Sequence, residues 1–202
     1  MTPAKYLASR DKRLGTLIKK QKINIPKPYR NFFQFLVAAI INQQLSSKAA
    51  ATIVKRFEAL FPGKKFPTPK TVLKMPTRKL RSCGMSGSKV EFIKDVARHF
   101  DKGFINVKKL RHWSDEEVVE HLVRIHGVGR WTAEMFLMFA LSRPDVFSPG
   151  DLGLRRAIQR LYKMKKEPAP KQLKEISEKW KPYRTLASLY LWHSVDAKGG
   201  KI

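Results

Sequence analysis

Two glycines separated by one valine, Gly127 and Gly129, divide two stretches that both have helical periodicity. Glycine allows positive φ and close approach to the backbone, so this segment predicts a tight helical hairpin. The first N–H groups of the second helix have no acceptor within that helix and lie at the positive end of its dipole, which suits a phosphate. Such donors read charge without reading sequence, so the hairpin could hold a nucleic acid without selecting a base. The alternative is an ordinary hairpin in which the glycines only permit close packing.

A single carboxylate, Asp151, stands between a Phe-Ser-Pro-Gly turn and the amphipathic stretch DLGLRRAIQRLY. The positive end of a helix dipole favours a negative charge at this position. The residue types alone favour a structural role, because aspartate is a preferred N-cap of helices. Metal chemistry is not indicated: the histidines lack the paired spacing of metal ligands, and the lone cysteine, Cys83, offers no cluster for zinc or iron–sulfur. We interpret Cys83 as a small buried apolar residue.

Charge sets this chain apart from an average soluble protein. It carries 42 Lys and Arg against 16 Asp and Glu, a formal net charge of +26. Such an imbalance indicates an anionic partner, first nucleic acid and second an acidic membrane surface, ahead of a merely basic protein. The most apolar run, from Phe32 to Ile41, is too short to span a bilayer, and the N-terminus lacks the apolar core of a signal peptide. One cysteine allows no internal disulfide, which fits the cytosol.

Helical spacing of apolar residues dominates, and we find no convincing β-strand alternation. The fold class is therefore predicted to be all-α, with roughly ten short helices. The run RNFFQFLVAAII is apolar on all sides and predicts a buried central helix, whereas the first helix is expected to run from Tyr6 to Lys20. Helix starts and stops are predicted at Ser114 with Glu117, at Thr68 with Pro69, and at Gly84 and Gly103.

Proline-rich joints at IPKPY, FPGKKFPTP and EPAPK are too short for free linkers and are interpreted as corners between helices. Residues 1–202 are therefore predicted to form one functional unit. Its central helical lobe is expected at about residues 29–141, and a second lobe at about residues 1–28 together with 150–198.

Four segments carry a resemblance to a known family. LVRIHGVGRWTAEMFLMFALSRPDVFSPGD resembles the helix-hairpin-helix, Gly/Pro-rich loop and aspartate signature of the DNA glycosylase superfamily. AAIINQQLSSKAA is similar to the family's central helix and Gln-Leu loop, CGMSGSKVEFIKDVA to its Gly-x-Ser-x-x-Lys helix start, and WKPYRTLASLYLW to its C-terminal segment. The tryptophan after Gly-Val-Gly-Arg resembles the 3-methyladenine DNA glycosylase II branch. The resemblance implies two helical lobes with the active-site cleft between them, here in a compact form without the N-terminal β domain of longer members.

The resemblance also implies a reaction, hydrolysis of the N-glycosidic bond of an alkylated base such as 3-methyladenine. Asp151 occupies the position of the family's catalytic aspartate, whose ionised carboxylate would stabilise an oxocarbenium-like transition state. Trp131 stands where bifunctional members of the superfamily have a lysine. Because tryptophan cannot form a Schiff base, no lyase activity is expected. The lack of a four-cysteine cluster also argues against the endonuclease III and adenine-mismatch branches.

A base must leave the helical stack to reach such a carboxylate, and the resemblance assigns residues to that step. Leu45 matches the intercalating wedge of the family, although it could instead cap the core. The base pocket is expected to contain Trp131, Trp192 and Gln44, because electron-rich ring faces attract a cationic alkylated purine. Trp180 has no place in the motif and is interpreted as a core residue.

Contacts with the DNA backbone are implied for four hairpin residues, Gly127, Gly129, Arg130 and Thr132. No cofactor is required for the reaction. The resemblance does imply a structural Na⁺ or K⁺ at the hairpin, held by the backbone carbonyls of Val123, Ile125 and Val128.

Double-stranded DNA with damaged bases is the expected partner, bound by a monomer without membrane contact, in the cytoplasm beside the nucleoid or in a nucleus. One alternative is a glycosylase of the same fold that removes uracil or an oxidised purine. Another is a non-enzymatic helix-hairpin-helix module, which would have no reason to keep Asp151, Trp131 and Trp192. A membrane-surface protein would need an amphipathic basic helix, for which only the short N-terminal helix is a candidate.

Overall fold

A computed structural model describes residues 1–63 and 66–196, and in that part of the chain it contains thirteen α-helices and no β-strand. The all-α prediction is confirmed. In chain order the helices are α1 (Pro3–Arg10), α2 (Lys12–Lys20), α3 (Phe32–Asn42), α4 (Ser47–Ala59), α5 (Pro69–Lys74), α6 (Thr77–Arg81), α7 (Gly87–Asp101), α8 (Val107–Leu110), α9 (Asp115–Leu122), α10 (Arg130–Phe139), α11 (Leu152–Leu161), α12 (Pro170–Glu178) and α13 (Arg184–Asp196). Within these residues none of the helices has the length and apolar character that a membrane crossing requires.

The chain divides into two compact units, one made of Tyr29–Phe136 and the other of Met1–Pro28 with Leu137–Ile202. Residues 197 and 198, which the sequence placed at the end of the second lobe, lie outside the described residues.

Helix α3 is the centre of the Tyr29–Phe136 unit, as its apolar sequence predicts. It begins after Asn31, whose side-chain oxygen accepts the N–H of Gln34 at 3.0 Å. It then packs against α4 and α7. Phe33 meets Phe100 edge to face at a ring-centroid distance of 5.4 Å, a geometry that aromatic pairs prefer. This cap satisfies one of the first-turn N–H groups, which have no acceptor within the helix.

Two helix starts that were predicted from local capping residues are confirmed. Ser114 and Glu117 form a reciprocal capping box at the start of α9. Thr68 caps α5 through the N–H of Thr71, with Pro69 in the first turn. These signals are reliable because each cap satisfies N–H groups only two or three residues away, whatever the rest of the fold does.

The second unit has its own apolar core, to which α1, α2, α11, α12 and α13 all contribute. Trp180 lies in this core and is 0% exposed, so its interpretation as a core residue is confirmed. Cys83, in the other unit, is also buried as predicted.

The single N-terminal helix expected from Tyr6 to Lys20 is wrong, because the chain breaks at Asp11. Asp11 is in an extended conformation, ends α1 and caps α2 through the N–H groups of Arg13 and Leu14. Its other oxygen accepts the indole N–H of Trp180 at 2.9 Å and the hydroxyl of Tyr162. Burial alone would raise the pKa of Asp11, but these hydrogen bonds outweigh it and lower the pKa. At this break the carboxylate of Asp11 therefore accepts hydrogen bonds from four donors.

Candidate functional site

Asp151 is the N-cap of α11, as its residue type favoured. Its backbone is extended, with φ −73° and ψ 119°, and its Oδ1 accepts the N–H of Leu154 at 2.7 Å. The side chain is buried, since the residue is only 8% exposed. A carboxylate in this position lies at the positive end of the helix dipole, which stabilises its negative charge.

Trp192 contacts the same carboxylate from another helix. Its indole N–H donates to Oδ1 of Asp151 at 2.9 Å. The centroid of its ring lies 6.0 Å from the ring centroid of Phe139. The structure therefore brings together two residues that the sequence assigned to one site, Asp151 and Trp192. The hydrogen bond between them was not foreseen, because the resemblance treated Trp192 only as an aromatic wall. A charge-assisted bond of this kind is about twice as strong as a neutral one and fixes where the carboxylate lies.

The loop before Asp151 is fastened to the start of α13, the helix that carries Trp192. The guanidinium of Arg184 meets the carboxylate of Asp145 at 2.8 Å and 3.1 Å. Thr185 accepts the N–H of Val146 at 3.1 Å and donates its hydroxyl to a carbonyl of the same loop. Asp145, the other carboxylate near the motif, thus forms a structural ion pair. The loop and α13 are held in one register, which keeps Asp151 and Trp192 within bonding distance.

The predicted hairpin connects α9 to α10. Gly127 has φ +86°, and a Cβ there would lie 2.3 Å from a ring carbon of Phe92, so only glycine fits this position. Gly129 differs, since a Cβ there would meet nothing within 4 Å. The carbonyl of Gly129 accepts the N–H of Ala133 at 3.0 Å and so begins the hydrogen bonding of α10. The N–H groups before Ala133 belong to the first turn, which has no acceptors within the helix.

Two side chains distant in sequence hold the hairpin turn. The carboxylate of Asp95 accepts the N–H of His126 at 2.9 Å. Burial would raise the pKa of Asp95, but the bonds from His126 and Arg98 lower it. The side-chain amide of Gln43 donates to the carbonyl of Gly127 at 3.0 Å. Sequence reasoning missed both, because 31 and 84 positions separate these partners and no local pattern marks them.

Arg130, predicted to contact the DNA backbone, is engaged within the protein. Its guanidinium forms a fork with Glu116 at 2.8 Å and 2.7 Å, and its Nε reaches Glu134 at 3.2 Å. The hydrogen bonds with Glu116 raise the pKa of Arg130 above its usual value. A phosphate would have to compete with Glu116, so the predicted contact requires this exposed pair to open. The side chain of Thr132 is buried, which leaves only its backbone as a donor to DNA.

The three carbonyls predicted to hold a cation, those of Val123, Ile125 and Val128, lie in the segment between α9 and α10. Neutral backbone oxygens are suitable ligands for a monovalent ion. The carbonyl of Ile125 accepts the N–H of Val128 at 3.0 Å, so an ion would share that oxygen. The donor set therefore fits a cation, with one ligand already hydrogen-bonded. Among the described side chains there is no group of three or more His, Cys, Asp or Glu that could hold a metal ion.

The loop that follows α3 contains both Gln44 and Leu45. Gln44 is exposed and has φ +57°, whereas Leu45 is half-buried, so the wedge and the core cap both remain possible roles for Leu45. Lys89 fixes this loop, since its ammonium donates to the carbonyls of Ile41 and Gln43 at 2.8 Å and 2.7 Å. Burial lowers the pKa of the Lys89 ammonium. Its two acceptors are main-chain carbonyls at the end of α3, so these hydrogen bonds are structural. Lys89 is the lysine of the Gly-x-Ser-x-x-Lys motif, for which the sequence predicted only a helix start.

The predicted residues thus form two groups. Gln44, Leu45 and Trp131, which is 45% exposed at the start of α10, belong to the Tyr29–Phe136 unit together with the hairpin. Asp151 and Trp192 belong to the other unit.

Known proteins resemble the chain along most of its length. DNA-3-methyladenine glycosylase 1 of Schizosaccharomyces pombe is 36% identical over 182 residues, which cover 90% of this chain and 80% of that protein. The structure of the 3-methyladenine DNA glycosylase of the same yeast, in complex with abasic DNA, superposes with a TM-score of 0.86 at 34% identity over 97% of both chains. DNA-3-methyladenine glycosidase from Bacillus halodurans superposes with a TM-score of 0.86 at 36% identity, covering 98% of this chain and 91% of that one.

A family match covers most of the residues assigned to the site. Residues 37–182 match the HhH-GPD superfamily of base excision DNA repair proteins, and this range includes the Gln44 loop, the hairpin and Asp151. Together with the shared fold, the match shows that this chain belongs to the HhH-GPD superfamily of base excision DNA repair proteins.

Proposed function

We propose that this protein is a monofunctional DNA glycosylase that hydrolyses the N-glycosidic bond of alkylated bases such as 3-methyladenine. The observation that carries the proposal is the buried carboxylate of Asp151, which lies within the residues that match the superfamily and accepts hydrogen bonds from Leu154 and Trp192. The names of its relatives, DNA-3-methyladenine glycosylase and glycosidase, support the same reaction and substrate class. A module that only binds DNA is not favoured, because the similarity extends far beyond the hairpin.

Asp151 would act on the charge that develops at the sugar. As the N-glycosidic bond breaks, the sugar approaches an oxocarbenium ion, which a nearby anion stabilises. This stabilisation is stronger in a site shielded from water, and Asp151 is largely shielded. The N–H groups of Leu154 and Trp192 hold one carboxylate oxygen in place, so the anion needs little rearrangement during the reaction. The same carboxylate could orient the attacking water.

An alkylated purine suits aromatic surroundings because it carries a positive charge and its glycosidic bond is already weakened. The ring face of Trp192 would attract such a base beside Asp151. For Trp131 and Gln44, which belong to the other unit, a role in binding the base stays a prediction from the resemblance. Leu45 would fill the space that the extruded base leaves in the duplex. Because such a base already carries a positive charge, its departure needs no strong acid catalyst.

The hairpin would hold the strand through backbone donors. N–H groups of Gly127, Gly129 and Thr132 would bind phosphate at the positive end of α10. A Na⁺ or K⁺ on the carbonyls of Val123, Ile125 and Val128 would add positive charge beside that phosphate. The partner would be duplex DNA with a damaged base, bound by a monomer.

The decisive experiment compares the wild-type protein with Asp151→Asn on duplexes that each contain one alkylated base. The asparagine keeps the size of the side chain and much of its capping geometry but removes the charge. We expect the single-turnover rate of base release to fall at least about 100-fold, as after removal of a main electrostatic stabiliser. DNA binding should persist or tighten, because an anion that faces phosphates has been removed. The control is Asp101→Asn, which removes an exposed carboxylate at the end of α7 and should change nothing.

The nature of the product tests the monofunctional part of the proposal. The wild-type protein should leave an intact abasic strand that breaks only in alkali, and borohydride should trap no covalent adduct. Full activity of Asp151→Asn would leave this residue as a helix cap alone. A trapped adduct would reveal an amine nucleophile and a lyase step.

A further inference from the structure

Gly153 is the second residue of α11, where alanine would form a better helix. Glycine in a helix is unfavourable relative to alanine, since it loses more conformational freedom on folding. The backbone does not require glycine here, because Gly153 is not among the described residues with positive φ. Some other constraint must explain why this helix begins Leu-Gly-Leu.

The surroundings of Gly153 supply that constraint. A Cβ at this position would lie 3.1 Å from Oδ1 of Asp151 and 3.1 Å from Cδ1 of Trp192, with the indole Nε1 at 3.4 Å. Contacts this short are tighter than nearly all real Cβ contacts, so a neighbouring group would have to shift by a few tenths of an ångström. Both neighbours are parts of one hydrogen bond, the 2.9 Å bond between Trp192 and Asp151.

We infer that Gly153 is a positioning residue of the glycosylase reaction: its missing side chain leaves the space in which the Trp192 indole meets the Asp151 carboxylate. The inference rests on the proposed function of Asp151. An alanine methyl would press on the shared oxygen and on the indole edge at once, so one or both partners of this bond would have to shift. Gly153 itself touches no reacting atom in this proposal.

Activity should therefore fall in Gly153→Ala without a matching loss of stability. A displacement of about 1 Å in an active site can reduce a rate about 100-fold, so a shift of a few tenths predicts a loss of about 3- to 10-fold. The alanine also favours the helix, so thermal stability should stay equal or rise. A merely structural glycine would give no loss of rate, or a loss that follows the loss of stability.

Gly150 provides a matched control on the other side of Asp151. It is exposed, it is not among the residues with positive φ, and a Cβ there would meet nothing within 4 Å. Gly150→Ala makes the same chemical change one residue from the carboxylate, but it leaves the Asp151–Trp192 pair undisturbed. Its rate should equal that of the wild-type protein.

The experiment measures single-turnover base release from an alkylated duplex, affinity for undamaged duplex, and melting temperature for the three proteins. The chain has four tryptophans, so an NMR spectrum adds four indole N–H signals. Loss of one signal in Trp192→Phe assigns that of Trp192. We expect the chemical shift of this signal to change in Gly153→Ala and to stay the same in Gly150→Ala. The rate of base release should fall only in Gly153→Ala, and the affinity for undamaged DNA should be the same for all three proteins.

The outcomes separate this inference from the function on which it rests. If the wild-type protein releases no base, the proposed function fails, whereas the indole signal still reports whether Gly153 positions the pair. If the wild-type protein is active and Gly153→Ala matches Gly150→Ala in rate, the inference is overturned. A rate loss in Gly153→Ala accompanied by equal losses of DNA affinity and stability would overturn it as well.

Discussion

The two glycines of the hairpin are glycine for different reasons. Gly127 is required by the protein itself, since its φ is +86° and Phe92 occupies the place of a side chain. Gly129 meets no such obstacle, because the space around its missing Cβ is open. In the proposed function that open space is where a phosphate approaches the backbone.

Gly129→Ala should therefore weaken DNA binding without harming the fold. We expect affinity for undamaged and alkylated duplexes to fall by the same factor, about fivefold for the loss of one hydrogen bond of roughly 1 kcal/mol. Fluorescence anisotropy with labelled duplexes measures the affinity, and a thermal melt measures stability. Gly127→Ala is the contrasting variant, because its strain and clash should lower the melting temperature. A loss restricted to damaged DNA in Gly129→Ala would contradict a phosphate contact.

Residue types predicted some of these roles and could not predict others. Asp151 could be recognised as a cap because the helix that it caps follows at once. Its proposed catalytic role rests on the resemblance, since a capping and a catalytic aspartate look alike in sequence. The bond from Trp192 spans 41 positions, so no local pattern contains it. Motifs were enough to propose site residues, whereas the contacts that hold these residues depend on tertiary structure.

At the scale of elements, the loop after α3 depends on contacts from outside itself. Lys89 of α7 binds the carbonyl of Gln43 in this loop and that of Ile41 in the last turn of α3, and Gln43 binds the hairpin turn. These bonds hold Gln44 in a left-handed conformation that is uncommon for residues other than glycine. The loop and the hairpin are thereby fixed to each other within the Tyr29–Phe136 unit, so the proposed wedge and the proposed phosphate grip keep one spacing.

Replacing Lys89 with methionine should loosen this loop while the core stays intact. Methionine has a similar length but donates nothing, so the carbonyls of Ile41 and Gln43 lose their partner. With two bonds removed at roughly 1 kcal/mol each, we expect amide hydrogen exchange in residues 42–45 to accelerate at least about tenfold. Base release should fall more from duplex than from single-stranded DNA, because only the duplex needs a wedge.

Lys74→Met is the matched control, since it removes an exposed lysine of the same unit on α5. It should leave hydrogen exchange in the loop unchanged. If Lys89→Met instead lowers release from both substrates equally, Lys89 supports the whole unit and has no special effect on the loop.

Elements were predictable where their signals are local. The capping box at Ser114 and the apolar run of α3 each determine their helix from neighbouring residues. The break at Asp11 was missed because it depends on Tyr162 and Trp180, which lie 151 and 169 positions away. The helical pattern continues through Asp11, and the donors from Tyr162 and Trp180 reinforce the local cap that Asp11 forms on α2. Tertiary contacts of this kind override local propensity.

For the whole molecule, charge is the property that the sequence states most directly. A net charge of +26 on 202 residues cannot be neutralised by internal ion pairs, since 16 acidic residues face 42 basic ones. Ion pairs such as Arg130 with Glu116 use some of the basic side chains. The remaining excess makes a polyanion a favourable partner and makes binding depend on displaced counterions.

The salt dependence of binding should reveal this excess. If roughly five phosphates are neutralised, the logarithm of affinity for undamaged duplex should fall with the logarithm of salt concentration at a slope of about −4 to −5. Titrations followed by anisotropy between low and moderate salt give the slope. Gly129→Ala should lower affinity at every salt concentration without changing the slope, because the donor that its methyl group obstructs is a neutral N–H. A wild-type slope near zero would remove the argument from charge, and a shallower slope in Gly129→Ala would mean that the substitution displaces basic side chains from the phosphates.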